Sequence, residues 1–150
     1  MKRKILLVDD DMAVLLTLKA VLELNQFDVH TATSAADAET KLAADVYHLV
    51  ITDARMETDD AGLQVIRAAR RQHYNPATAL LTAYPPSNGN WTTNGAQSLL
   101  VKPIGTQDLV RQIEALLIRH EDEKQSSART GDPATKQASS MNREGGRKVS

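Results

Sequence analysis

Two hydrophobic patterns alternate along the first 120 residues. Short apolar runs, "KILLVD", "DVHTAT", "YHLVITD", "PATALLTA" and "SLLVKP", have the length and aliphatic content of strands. The first is continuous rather than alternating, which suits a strand covered on both faces. Between the runs lie segments with apolar residues three and four apart. These are Val14, Leu15, Leu18, Val21 and Leu22 within 11–25, and an alanine-rich stretch over 35–45. Leu63, Val65, Ile66 and Ala69 follow within 61–72, then Leu109, Val110, Ile113, Leu116 and Leu117 after Thr106. Asp11, Ser34 and Thr106 stand where helix N-caps belong.

Strands alternating with helices imply parallel pairing through right-handed crossovers. Five strands in this length predict an α/β fold, a doubly wound five-stranded parallel sheet of flavodoxin-like type with strand order 2-1-3-4-5. Such sheets bind ligands at the carboxyl ends of their strands, where the strand order reverses. One slot breaks the pattern. Between the fourth and fifth strands a helix is due, but residues 82–96 read "TAYPPSNGNWTTNGA". Pro85 and Pro86 lack amide donors, and Gly89 and Gly95 disfavour a helix. The fourth helix is therefore expected to be short or missing. Trp91, the only tryptophan, either packs over the vacated footprint or anchors a partner.

Residues 121–150 change character, with few large apolar residues and many Ser, Gly, Lys and Glu. They cannot bury enough surface to offset their ordering entropy, so a domain over 1–120 and a disordered tail or linker over 121–150 are expected. The net charge of −1 gives no global attraction to nucleic acid or an anionic membrane. The absence of cysteine excludes disulfides, thiolate metal sites and thiol nucleophiles. No apolar run reaches transmembrane length, and the opening run is too short for a signal peptide. A cytoplasmic protein is expected. His30, His48, His73 and His120 show no metal-ligand spacing. The basic run at 67–72 suits a solvated helix face or a kinase contact better than DNA.

The predicted strand ends carry the chemistry. The first run ends in Asp9, Asp10 and Asp11, the third in Asp53, the fourth in Thr82 and the fifth in Lys102. Any one of these alone would usually be a cap or a solvated group. Four strands each ending in a suitable group form a constellation on one rim of one sheet. Clustered carboxylates repel one another, and a divalent cation relieves the repulsion. With only oxygen ligands on offer, Mg²⁺ is the natural ion. A lysine supplies a point charge for a phosphate oxygen, a threonine hydroxyl a donor, and a carboxylate a nucleophile able to form an acyl phosphate.

The motifs "ILLVDDD", "LVITDARM", "ALLTA" and "LLVKPI", in this order, resemble the receiver domain of two-component response regulators over about residues 3–120. The resemblance implies that Asp53 is the phosphoacceptor and that Asp9 and Asp10 hold Mg²⁺, Asp10 being preferred as the direct ligand. Asp53 itself and the backbone carbonyl of Arg55 would complete the metal set. Thr82 would be the switch hydroxyl, and Lys102, followed by Pro103, would pair with the phosphoryl group. The implied partners are a histidine kinase or histidine phosphotransfer protein as donor and an unknown output protein. No direct nucleic-acid or membrane contact is implied, and homodimerisation is left open. The implied activity is that of a single-domain signalling phosphoacceptor rather than an enzyme with turnover.

Three departures stand out. The proline common four residues after the acceptor is Glu57, the loop before Gly62 is one residue longer, and the aromatic common three before the lysine is Leu99. Two competing functions are a phosphorylation-independent interaction module on the same fold and a small Mg²⁺-dependent aspartyl phosphohydrolase. Such hydrolases tend to carry an acid two after the nucleophile, where Arg55 stands.

Overall fold

The computed structural model of the protein describes residues 2–83, 95–102 and 105–130, with side chains as far as 126. The chain divides into two units, 1–116 and 117–150, and the sheet lies in the first. The elements are β1 (Arg3–Val8), α1 (Met12–Leu24), β2 (Phe27–Ala32), α2 (Ala35–Ala44) and β3 (Leu49–Asp53). They continue with α3 (Ala61–Arg70), β4 (Ala77–Thr82), β5 (Ser98–Val101) and α4 (Thr106–Thr130). All strand pairs are parallel, in the order β2-β1-β3-β4-β5 that the sequence pattern predicts.

The chain steps from β1 outward to β2, then back past β1 to β3. Right-handed crossovers in opposite directions place α1 on one face of the sheet and α2 and α3 on the other. The second face is seen directly. Leu6, Val8, Ala32 and Val50 pack with Ala38 and Leu42 of α2 and with Val65 and Ala69 of α3. Ile5, Leu7 and Ile51 alternate to the opposite face and are equally buried. Each such side chain contributes roughly 1.5–3 kcal/mol when fully buried. Leu15, Leu18 and Leu22 are the buried stripe of α1. The groove lined by Val21 and Leu24 of α1 and by Val110 and Glu114 of α4 puts the start of α4 beside α1.

The caps follow local chemistry. Asp11 accepts from the amides of Ala13 and Val14 at 2.9 and 3.4 Å, and Ser34 accepts from the Asp37 amide at 3.1 Å. Thr106 is a correction: it is the first residue of α4 rather than its cap, and the carbonyl of Gly105 before it accepts the Leu109 amide at 2.9 Å. Leu109, Ile113 and Leu116 of α4 are buried and Val110 half-buried. The edge strand β2 is blunted where Lys41 Nζ donates to the Thr31 carbonyl. His48 and His30 have structural roles. His48 Nδ1 accepts from the Lys4 amide at 2.9 Å, and His30 Nδ1 meets the Tyr47 hydroxyl at 2.9 Å.

The last helix runs to Thr130, ten residues past the boundary at 120 drawn from composition. Residues 121–130, "EDEKQSSART", have no apolar stripe, but Glu, Lys, Gln, Ala and Arg are good helix formers, and no Gly or Pro interrupts before Gly131 and Pro133. The expected loss of the fourth helix, Trp91 within it, Pro103 and the tail over 131–150 fall outside the described residues. Among the described residues no helix is long and apolar enough to cross a membrane.

Candidate acidic site at the carboxyl edge of the sheet

The strand order reverses between β1 and β3, and the crevice beyond their carboxyl ends is where this topology places ligands. Val8 of β1 is level with Thr52 of β3. Asp9 and Asp53, one residue further along each strand, therefore stand side by side across the reversal. The backbone fixes both. The Asp9 amide donates to the Ala32 carbonyl at 3.1 Å, and the Ala54 amide donates to the Leu81 carbonyl at 3.0 Å.

The two acids after β1 differ sharply in environment. Asp9 is buried, only 1% exposed, whereas Asp10 is exposed. One carboxylate oxygen from each of Asp9, Asp10 and Asp53 lies within 4.8 Å of the others. Asp9 Oδ1 accepts from the Asp11 amide at 3.0 Å. Its other oxygen, Oδ2, accepts from Lys102 Nζ at 3.1 Å, and the same ammonium is 3.5 Å from Asp53 Oδ1. Lys102 reaches this position because its backbone continues the β4–β5 ladder, its amide donating to the Thr82 carbonyl at 2.8 Å.

The charges shape one another. Burial, then the negative charge of Asp9, pushes the Asp53 carboxyl above the usual carboxylate range, and Lys102 only partly offsets this. For Lys102, burial pulls the ammonium down. The hydrogen bond and charge of Asp9, with Asp53 behind them, outweigh burial and hold it above its ordinary value. A carboxyl whose folded pKa is raised contributes stability below its unfolded value, about 3.9, and that contribution is lost as pH rises through the folded value. Asp53 therefore costs stability at neutral pH. Metal-free Asp53→Asn is expected to be more stable than the parent by about 1 kcal/mol at pH 7. Urea unfolding at several pH values checks this, the difference closing toward pH 4; a variant less stable at pH 7 would contradict it.

The remaining expected residues lie at the same edge. Thr82 ends β4 and is buried, one residue beyond Leu81, which pairs with Asp53. Arg55 is exposed in the loop after β3, and the resemblance assigns only its backbone carbonyl. Leu99, where an aromatic is common, packs with Ala54 and Leu63 against Ile66, Leu80 and Ala96. The all-oxygen acidic set beside one ammonium fits a hard divalent cation such as Mg²⁺.

Two residues that the sequence marked only as departures from the family pattern make specific contacts. Gly62 lies against the end of β3. A Cβ there would sit 2.3 Å from the Asp53 carbonyl oxygen and 2.6 Å from Ala54 Cα. The available signal was a glycine in the first turn of a helix, a poor place for one on propensity alone. Glu57 Oε2 accepts the Ala35 amide at 2.9 Å, from the loop after β3 to the start of α2. No local pattern announces that contact.

Comparison with known proteins identifies the family and the fold. The sequence profile described as the response regulator receiver domain matches residues 5–114. The transcriptional regulatory protein BasR of Escherichia coli K12 is 31% identical over 131 residues, covering 86% of this chain and 59% of that protein. The alginate biosynthesis transcriptional regulatory protein AlgB of Pseudomonas putida KT2440 is 36% identical over 125 residues, covering 76% and 28%. The chain thus spans little more than half, or less, of the length of these relatives. The crystal structure of a CheY-like response regulator receiver domain protein from Methanospirillum hungatei JF-1 superposes with a TM-score of 0.76. It is 26% identical and covers 82% of this chain and 99% of that one. A response regulator receiver protein from Sinorhizobium medicae WSM419 is 29% identical with a TM-score of 0.69, covering 77% and 94%. With the profile spanning most of the sheet, its strand order and its acidic edge, this chain belongs to the response regulator receiver domain family.

Proposed function

We propose that the chain receives a phosphoryl group on Asp53 from a histidine kinase or histidine phosphotransfer protein and in turn alters a surface read by an output partner. The observation that carries this is the single ammonium of Lys102, 3.1 Å from Asp9 and 3.5 Å from Asp53, beside the three-carboxylate cluster. An Asp53 oxygen forms the new O–P bond while the N–P bond of the phosphohistidine breaks, its electron pair returning to the imidazole. Asp9, Asp10, Asp53 and the Arg55 carbonyl would hold Mg²⁺, which when bound neutralises charge on the transferring phosphoryl oxygens. Lys102, already held beside Asp53 at 3.5 Å, offers those oxygens a point charge. The Thr82 hydroxyl is the donor that follows the phosphoryl group and carries its arrival into β4.

Release of the phosphoryl group to water completes a signalling cycle rather than turnover of a substrate pool. A cytoplasmic setting with the kinase as donor suits the absence of cysteine. The two curated relatives described above are named as transcriptional regulators. For this chain the output partner is proposed to be a protein, with no direct nucleic-acid contact from the receiver.

Incubation with acetyl phosphate and Mg²⁺ is expected to add one phosphoryl group by intact mass. Asp53→Asn is expected to add none, and chelation of Mg²⁺ to suppress the parent's labelling. Equal labelling of Asp53→Asn would sink the assignment. Binding of an output protein unchanged by phosphorylation would favour the interaction-module alternative, and sustained hydrolysis of a phosphate monoester the phosphohydrolase.

A further inference from the structure

We propose that Glu57 is a positioning residue that clamps the loop after Asp53 to the N-terminus of α2 and so presets the metal side of the acidic site. The proposal rests on the phosphoacceptor assignment for its purpose, and on the loop's geometry for its existence.

Four amides at the start of a helix lack intrahelical partners. In α2 the Asp37 amide is taken by Ser34 Oγ at 3.1 Å, and Asp37 in return accepts the Thr33 amide at 3.3 Å. The amide of Ala35, the first helical residue, is taken by Glu57 Oε2 at 2.9 Å, across 22 residues of sequence. An ionised carboxylate there also faces the positive end of the helix dipole. The bond is therefore charge-assisted and stronger than a neutral one.

The clamp acts on a loop that is otherwise tied mainly to itself. The Met56 amide donates to the Thr58 carbonyl at 3.1 Å, the Ala61 amide to the same carbonyl at 3.3 Å, and Thr58 Oγ1 to Asp60 Oδ1 at 2.8 Å. Met56 packs against the core shared by α2 and α3. Arg55, whose carbonyl is assigned to the metal, immediately precedes Met56 and lies two residues from Glu57. Met56, packed on that core, and Glu57, bonded to the Ala35 amide, thus anchor the chain immediately after Arg55. Proline, common at this position in the family, restricts the backbone through its ring. Glu57 restricts it through a tether instead.

The test uses Glu57→Ala, Glu57→Gln and Ala35→Pro. Glutamine keeps an acceptor oxygen. Proline at the first helical position deletes the donor while leaving a conformation that helices accept, and Ser34 before it is already extended, as a residue preceding proline prefers. Amide exchange of Ala35 is followed in metal-free protein by NMR, Mg²⁺ affinity by calorimetry, and acetyl phosphate labelling by intact mass.

Glu57→Ala is expected to speed Ala35 exchange and weaken Mg²⁺ about tenfold, the size seen when a group orienting a metal ligand is lost. Glu57→Gln is expected to lose less than Glu57→Ala, about threefold, since it retains the acceptor oxygen but not the charge. Ala35→Pro is expected to weaken Mg²⁺ like Glu57→Ala, with no further loss when the two are combined. Faster Ala35 exchange with unchanged Mg²⁺ affinity would overturn the positioning role, and so would fully additive losses in the double variant. Failure of the parent to take up phosphate would overturn the phosphoacceptor assignment instead, while exchange and Mg²⁺ affinity would still decide the clamp.

Discussion

Gly62→Ala is expected to lose about 3 kcal/mol of stability and most of its labelling by acetyl phosphate. The added Cβ would stand 2.3 Å from the Asp53 carbonyl oxygen, 2.6 Å from Ala54 Cα and 2.8 Å from the Ala54 carbonyl oxygen. All three are backbone atoms, so no side chain can swing aside. Relief requires moving either α3 or the end of β3. The Gly62 amide also donates to the Ala54 carbonyl at 3.0 Å, so pushing the helix away breaks a bond as well. Overpacking of this kind usually costs 1–3 kcal/mol, and the backbone contacts place this case at the upper end. Because the strained peptide is that of Asp53, any structure that survives is expected to hold the Asp53 carboxylate out of register with Lys102. Urea unfolding reads the first effect and intact mass after acetyl phosphate the second. A variant within about 0.5 kcal/mol of the parent, the range of neutral surface changes, would show that α3 moves freely against β3.

Lys102→Met is expected to cost about 3 kcal/mol in metal-free protein at neutral pH. Asp9 is 1% exposed and draws its only described ion pair from this ammonium, at 3.1 Å. Removing one partner leaves the other charge uncompensated, which is why breaking a buried pair costs several times more than a surface pair is worth. The pH dependence has a definite sign. Lys102 is held above its ordinary value, so its contribution is complete below the unfolded lysine value, about 10.4, and is lost as pH rises through the folded value. Asp53, already raised, loses in this variant one of the influences that lower it. The variant therefore pays more to ionise Asp53 and falls further behind the parent as pH climbs from about 4 to neutrality. The stability gap is widest between the carboxylate and lysine ionisations. Mg²⁺ is expected to recover part of it, because a cation bound to the folded state restores positive charge and adds stability by mass action. A gap independent of pH between 4 and 7 would mean that the loss is one of packing and not of charge.

The two substitutions probe different layers of the same site. Gly62 governs where the Asp53 backbone runs, and Lys102 governs which charges that position can carry. The Asp53 carboxyl is raised because it is buried beside Asp9, and functional sites commonly carry a cost in stability of this kind.

The elements, their order and the parallel pairing were legible in the sequence. Leu15, Leu18 and Leu22 recur at helical spacing and are the buried stripe of α1. "KILLVD" is continuously apolar and β1 is buried on both faces. Asp9, Asp53, Thr82 and Lys102 could be picked out because each directly follows or ends an apolar run, and a doubly wound topology brings such ends to one edge. These features depend on spacing within a few residues, which the sequence states outright. Composition does not announce the helix over 121–130, because a lack of apolar residues reports the absence of a core-facing stripe and not the absence of a helix.

What only the tertiary structure decided concerns residues distant in the chain. Lys102 and Asp9 are 93 residues apart, and their contact depends on strand register. That Asp9 is buried while its neighbour Asp10 is exposed depends on what packs over each, not on their type. Glu57, which in sequence is only a missing proline, meets the Ala35 amide because the fold brings the loop after β3 to the start of α2. Gly62 matters because α3 approaches β3 closely enough for a single carbon to collide. Periodicity determines which face of an element is apolar; the separation and register of the faces that meet are settled only when the whole sheet is packed.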